Sequence, residues 1–382
     1  MAEAQFSVPQ GAFDLIRYPP TRDPNLRAWD AADELMLCHL AEATAGRSVS
    51  RVLIVNDAFG ALTVAVAAWG RSGGPSHVTF ISDSHVATMA MRQNLERNGI
   101  PQLTEPDVAE ADVVLVKIPK ALSLLEAQLV ELREVVGPET VVIGGGMTRD
   151  VHTSTLELFE RTIGPTRTSL AKKKARLIFS TLNPDLSPEA PPPTLFALGL
   201  QDVQLVNYPG VFSATRLDNG TRLLLENLPG TAGGAEVIDL GCGNGALGVA
   251  VALKNPTAHV TFLDESRLAV RSAEATFKRA FAGREAGSPR QPTFRVGDCL
   301  DGLRGDSTDL ILCNPPFHQG RAKADDVAWK MFTGAKRVLR PGGALWVVGN
   351  RHLEYLDKLK RAFGNSQVVA DNPKFQVIRA VK

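Results

Sequence analysis

Short runs of Val, Ile and Leu, such as Val52-Leu-Ile-Val55, Val113-Val-Leu-Val116 and Leu310-Ile-Leu-Cys313, are separated along the chain by longer amphipathic stretches. A short apolar run suits a strand buried on both faces, whereas apolar residues recurring every three or four positions suit a helix packed on one face. Their alternation predicts repeated β-α units, and so an α/β fold in which helices cover a parallel sheet. The pattern breaks at Asn183-Pro-Asp-Leu-Ser-Pro-Glu-Ala-Pro-Pro-Pro193, which has five prolines in eleven residues. Proline removes backbone donors and stiffens the chain, so 183–193 is expected to link one domain, 1–182, to another, 194–382.

The two halves resemble each other at spaced landmarks. Val52-Leu-Ile-Val-Asn-Asp-Ala-Phe-Gly-Ala-Leu-Thr-Val-Ala-Val-Ala67 lies over Val237-Ile-Asp-Leu-Gly-Cys-Gly-Asn-Gly-Ala-Leu-Gly-Val-Ala-Val-Ala252 at an offset of 185. Phe80-Ile-Ser-Asp-Ser-His85 lies over Phe262-Leu-Asp-Glu-Ser-Arg267 at 182, and Asp112-Val-Val-Leu-Val-Lys-Ile-Pro-Lys120 over Asp309-Leu-Ile-Leu-Cys-Asn-Pro-Pro-Phe317 at 197. Collinear matches with drifting offsets are what duplication followed by loop changes leaves behind. The differences are informative. Ile54, Asn56 and Ala58 stand where the second copy has Asp239, Gly241 and Gly243, and Lys117 stands where it has Asn314. The first copy is therefore expected to keep the framework and to have lost the site.

Composition narrows the class. The 382 residues, 44% apolar and 22% charged, can bury two cores. No apolar run approaches the ~18 residues of a membrane span, and the N-terminus lacks a secretion signal, so a cytoplasmic protein is expected. Cys38, Cys242, Cys299 and Cys313 are scattered without metal-ligand spacing, which predicts reduced thiols and no metal. The net charge of +1 conceals an asymmetry: residues 194–382 hold 24 Lys and Arg against 18 Asp and Glu, and residues 1–193 hold 18 against 23. The basic half is the candidate for meeting phosphates.

Candidate chemistry gathers in that half. Glu236-Val-Ile-Asp-Leu-Gly-Cys-Gly-Asn-Gly245 reads as a strand entering a glycine turn, followed by a helix over residues 246–254. At the carboxyl edge of a parallel sheet, such a turn lets a nucleotide-like ligand approach the backbone. Asp239, Gly241, Gly243 and Asn244 are the candidate contacts. A dinucleotide dehydrogenase would call for GxGxxG instead, and would lack an Asp two residues before the first glycine. The next strand ends in Asp264 and Glu265; Asp264 is the preferred acceptor for ribose hydroxyls, with helix capping alongside Ser266 as its plainer role. Asp298, after a third strand, could accept from an adenine amino group or be a simple loop acid.

Asn314-Pro-Pro-Phe317 follows a buried strand to the same edge. The Asn314 side-chain oxygen and the Pro315 carbonyl can receive the two N–H bonds of an exocyclic amine and favour a pyramidal, nucleophilic nitrogen. Pro315 and Pro316 stiffen the backbone that aims the carbonyl. Phe317 offers a face for base stacking, worth ~1–3 kcal/mol in nucleic-acid complexes. His318 is not needed as a base.

On these residues the chain resembles the ribosomal RNA guanine-N2 methyltransferases of the RlmG and RsmC type. Ala28-Trp-Asp-Ala-Ala-Asp33, Asn56-Asp-Ala-Phe-Gly60 and His152-Thr-Ser-Thr-Leu-Glu-Leu-Phe159 point to the RlmG side; Lys173-Lys-Ala-Arg-Leu177, Asp239-Leu-Gly-Cys-Gly-Asn-Gly245, Cys313-Asn-Pro-Pro-Phe-His-Gln319 and Gly349-Asn-Arg-His-Leu353 are shared more widely. The resemblance implies two tandem class I (Rossmann-like) methyltransferase domains, the first degenerate and used to position RNA. It implies S-adenosylmethionine (SAM) as cofactor and 23S ribosomal RNA, naked or in a precursor particle, as partner. It places SAM at Asp239, Gly241, Gly243, Asp264 and Asp298, catalysis at residues 314–317, and a cofactor-covering segment at Phe212, Asp218, Gly220 and Thr221. A monomer with no membrane partner is expected. The alternatives are the same reaction on 16S RNA, methylation of DNA adenine or protein glutamine, and an RNA-binding assembly factor. Lys172-Lys-Lys-Ala-Arg176 is either an RNA contact or a solvated charge run.

Overall fold

The computed structural model describes residues 5–21, 23, 25–103, 109–213, 215–283, 289–316 and 321–382, with side chains in the last stretch from 325 onward. The chain divides into two compact units, Met1–Pro191 and Pro192–Lys382. The beginning of the proline segment is tied to the first unit, since Asn183 N–H donates to Ile163 and the Arg133 guanidinium holds the Asn183 and Leu186 carbonyls.

In the first unit a hairpin of β1 (Phe6–Val8) and β2 (Gly11–Phe13) and helix α1 (Ala31–Ala43) precede the sheet. Its strands are β3 (Arg51–Val55), β4 (His77–Ile81), β5 (Ala111–Lys117), β6 (Val136–Met147), β7 (Thr166–Thr168) and β8 (Ala175–Ser180), ordered β4-β3-β5-β6-β8-β7. Helices α2 (Ala61–Gly70), α3 (His85–Arg97), α4 (Leu122–Leu132) and α5 (Thr153–Thr162) connect them. In the second unit a hairpin of β9 (Thr194–Ala197) and β10 (Gln204–Asn207) leads to α6 (Asn219–Glu226). The sheet comprises β11 (Glu236–Leu240), β12 (His259–Asp264), β13 (Thr293–Val296), β14 (Thr308–Cys313), β15 (Leu339–Asn350), β16 (Gln367–Asp371) and β17 (Phe375–Val381), ordered β13-β12-β11-β14-β15-β17-β16. Helices α7 (Ala246–Lys254), α8 (Arg267–Phe281), α9 (Arg321–Val338) and α10 (Tyr355–Phe363) cover it.

The two sheets share their order apart from the extra edge strand β13, and the match extends to irregularities. The β5–β6 ladder slips between Ala111 and Val113, and the β14–β15 ladder between Thr308 and Leu310, which are equivalent positions. Ser84 and Ser266 cap α3 and α8 in the same way. Gly60 and Gly245, before α2 and α7, both have φ of 82°. Such coincidences support descent from one unit. Each unit also closes its own cores: one pair of apolar clusters lies wholly in the first and another wholly in the second.

Candidate active site

The β11 ladder runs parallel to β12 on one side and β14 on the other, with Leu240 opposite Cys313. Strand order reverses here, so a crevice opens beyond the carboxyl ends, and Gly241 and Asn314 emerge from neighbouring strands about 5 Å apart.

The glycines of the turn do different work. Among the described residues, an added Cβ at Gly243, with φ of 51°, would meet no atom within 4 Å, and at Gly241, with φ of 72°, only the Met331 methyl at 3.6 Å. These two leave open space in front of the backbone. At Gly245 a Cβ would come within 3.0 Å of Ala273, and at Gly248 within 2.3 Å of the buried Phe262 ring, so those two serve helix packing.

Asp239 is 1% exposed. Its Oδ2 accepts from the Gly248 amide at 2.8 Å, while Oδ1 is buried without a partner among the described residues. Burial pushes its pKa up to about 8; the Gly248 bond opposes the rise and the Asp264 charge adds to it. An orphaned carboxylate oxygen in a cleft fronted by two open glycines fits a cationic, nucleotide-like ligand. Asp264 accepts from the Gly243 and Ser266 amides, both at 3.0 Å. Ser266 itself caps α8, so Asp264 stays directed at the glycine turn. The Asn244 side chain faces the wall: it donates to Asn207, whose own amide donates to the Val211 carbonyl, tying the turn to the segment before α6. Asp298, 7% exposed, is paired with Lys330 of α9 at 2.6 Å, and Lys330 also reaches Asp301 at 2.7 Å. Nothing local in the sequence signals Lys330, which is 32 residues from Asp298.

Asn314 is held by the segment to which the family resemblance gave a cofactor-covering role. Its Nδ2 donates to Asp218 Oδ2 at 3.2 Å and to Thr221 Oγ1 at 2.9 Å, and its Oδ1 is buried with no partner among the described residues. Asp218 also caps α6 through the Thr221 amide. Pro315 is buried and Pro316 half-buried behind it. Phe317 and His318 lie outside the described residues.

The equivalent cleft of the first unit is filled by its own side chains. Lys117, in the position of Asn314, places its ammonium 2.8 Å from a carboxylate oxygen of Asp30 and 2.8 Å from one of Asp33. Burial disfavours that charge, but the two carboxylates hold the ammonium pKa above its ordinary value. Asn56, in the place of Gly241, exchanges hydrogen bonds with Gln128 and donates to the Lys117 carbonyl. The Asp57 carboxyl accepts from the Gly60, Ala61 and Thr63 amides, so the donors at the start of α2 are taken up by the chain itself. In the 172–176 run, Lys173 pairs with Glu34, while Lys172 and Lys174 are exposed at the tip between β7 and β8.

Comparison with known proteins agrees with this architecture. Residues 3–184 match the family described as RLMG N-terminal domain, and residues 202–379 the family described as Methyltransferase small domain. Curated relatives named Ribosomal RNA large subunit methyltransferase G include one from Streptomyces coelicolor, 49% identical over 98% of this chain and 100% of its own. Others are from Aeromonas hydrophila, 46% identical over 96% of each chain, and Pseudomonas aeruginosa, 43% identical over 99% of each. Among solved structures, the Thermus thermophilus 16S rRNA N2 G1207 methyltransferase RsmC, in complex with AdoMet and guanosine, superposes with a TM-score of 0.73 at 22% identity, over 99% of this chain and 97% of its own. With near full-length relatives at this identity and both halves matched, the chain belongs to the ribosomal RNA large subunit methyltransferase G family of SAM-dependent methyltransferases.

Proposed function

We propose that this chain methylates the exocyclic N2 of one guanosine in 23S rRNA, giving N2-methylguanosine, and that it acts in the cytoplasm as a monomer. One observation carries the reading: at the cleft edge, the Asn314 amide is bonded through its nitrogen and leaves a buried oxygen with no partner among the described residues. A guanine amine is a weak nucleophile because its lone pair is delocalised into the ring. Asn314 Oδ1 and the Pro315 carbonyl form an acceptor pair that holds both hydrogens and localises the lone pair on nitrogen. When bound, SAM would supply an electrophilic methyl on a sulfonium; its transfer leaves a neutral thioether, and the now acidic proton on N2 passes to solvent, so no protein base of unusual strength is needed. Asp239 would face the positive charge of the cofactor, Asp264 its ribose hydroxyls and Asp298 its adenine amine, with Gly241 and Gly243 keeping their approach clear. The RsmC neighbour, described with AdoMet and guanosine, supports the base and the atom, and the relatives named for the large subunit support 23S over 16S rRNA. The first unit, its cleft filled, is assigned to gripping or orienting RNA, with Lys172 and Lys174 at an exposed tip.

Incubating the full chain with SAM and either 23S or 16S rRNA, followed by nucleoside mass spectrometry, should yield N2-methylguanosine in 23S rRNA alone. Product in 16S rRNA, in adenine or in a protein glutamine would refute the assignment. Asn314→Ala should slow turnover by about 100- to 1,000-fold, leaving a residual rate that can be measured, while SAM affinity, measured by calorimetry, stays within a few fold. Equal loss of both would make Asn314 a structural residue.

A further inference from the structure

An asparagine amide can present either of two ends to a substrate, and only the oxygen accepts hydrogen bonds. At Asn314 the choice is made by α6. Asp218 Oδ2 and Thr221 Oγ1 lie 3.2 Å and 2.9 Å from Asn314 Nδ2. An ionised carboxylate has no proton to offer, so it receives the NH2 end and turns Oδ1 the other way. Oδ1 is buried and has no partner among the described residues.

Helix capping accounts for only part of this arrangement. As N-cap, Asp218 accepts from the Thr221 amide at 2.9 Å. A cap requires neither a bond to an amide 96 residues away nor the Thr221 hydroxyl on that same amide. The start of α6 is also closely seated. A Cβ at Gly220 would come within 3.0 Å of the Asp218 carboxylate and 3.3 Å of the Phe375 ring, and Leu224 and Leu225 anchor the helix in the core.

We propose that Asp218 and Thr221 are positioning residues for methyl transfer. They lock the Asn314 amide with its oxygen toward the substrate amine, and the Asp218 charge polarises that amide so that Oδ1 accepts more strongly as the attacking nitrogen becomes positive. This rests on the reading of Asn314 as the acceptor of the amine. It gives the two residues a task distinct from covering the cofactor.

The test uses the full chain, 23S rRNA and SAM. Asn caps helices about as well as Asp, so Asp218→Asn keeps the helix start while removing the charge and the enforced amide orientation. Single-turnover methylation by Asp218→Asn should slow by about 10- to 100-fold, with the SAM Kd, the KM for rRNA and the melting temperature unchanged. Thr221→Val should slow turnover by about tenfold, and Thr221→Ser should recover it. Adding Asp218→Asn to Asn314→Ala should lower the residual rate no further. Natural rates in Asp218→Asn, a SAM Kd that weakens in step with the rate, or a further drop in the double variant would each overturn the inference. The reading of Asn314 fails separately, through an active Asn314→Ala single variant.

Discussion

Burial raises the pKa of Asp239 to about 8, with the Gly248 amide at one oxygen opposing the rise and Asp264 adding to it. A cation placed beside this carboxyl favours its ionised form, so below about pH 8 binding a positively charged cofactor must expel a proton. SAM affinity should therefore increase from about pH 6 to about pH 8 and then level off. In Asp239→Asn it should be weaker and flat over that range; calorimetric titrations in buffers of different ionisation enthalpy check both the proton release and the plateau. The identities of Asp239, Gly241, Gly243 and Asn314 as candidates were legible because each belongs to a short string with its own spacing. Lys330, Asp218 and Thr221 were not legible as partners. They meet Asp298 or Asn314 across 32, 96 and 93 residues, and a hydrogen bond between distant segments leaves no local pattern. Asn244, marked for the cofactor by spacing, likewise has a partner that no local pattern announces, since its side chain donates to Asn207.

The two glycine turns separate framework from chemistry at the level of elements. Gly60 and Gly245 are retained in both copies, and a Cβ at either would press on the next helix, at Met91 or Ala273. Gly241 and Gly243 border open space and were replaced in the first copy. Gly243→Ala should thus cost only about 1–2 kcal/mol of stability, from its left-handed backbone, while greatly weakening SAM binding. Gly248→Ala should destabilise by about 1–3 kcal/mol through overpacking on Phe262. Parallel thermal melts and SAM titrations distinguish the two outcomes. In the first unit Lys117 links the end of β5 to α1 through Asp30 and Asp33. Lys117→Met leaves the buried Asp33 carboxyl without its counter-charge, while Asp30 stays partly solvated, and should destabilise that unit by about 3 kcal/mol, measured by urea denaturation. A change below about 1 kcal/mol would show that water already screens the cluster.

At the scale of the whole molecule, separate cores in each unit predict that residues 192–382 fold alone and bind SAM, whereas residues 1–191 fold and do not. Calorimetry on the two fragments decides this, and binding by the first alone would reverse the assignment of the halves. By itself the sequence determined the β-α alternation, the duplication, the glycine turn and the Asn-Pro-Pro-Phe string, because strand runs, helical periods and backbone-restricting residues are properties of neighbours along the chain. Only the tertiary structure decided that the first cleft is filled by Lys117, Asn56 and Asp57, that Asp298 carries Lys330, and which end of the Asn314 amide is taken up by α6. Those outcomes depend on the direction of individual donors and acceptors contributed by remote segments, and that direction exists only once the sheet has brought the segments together.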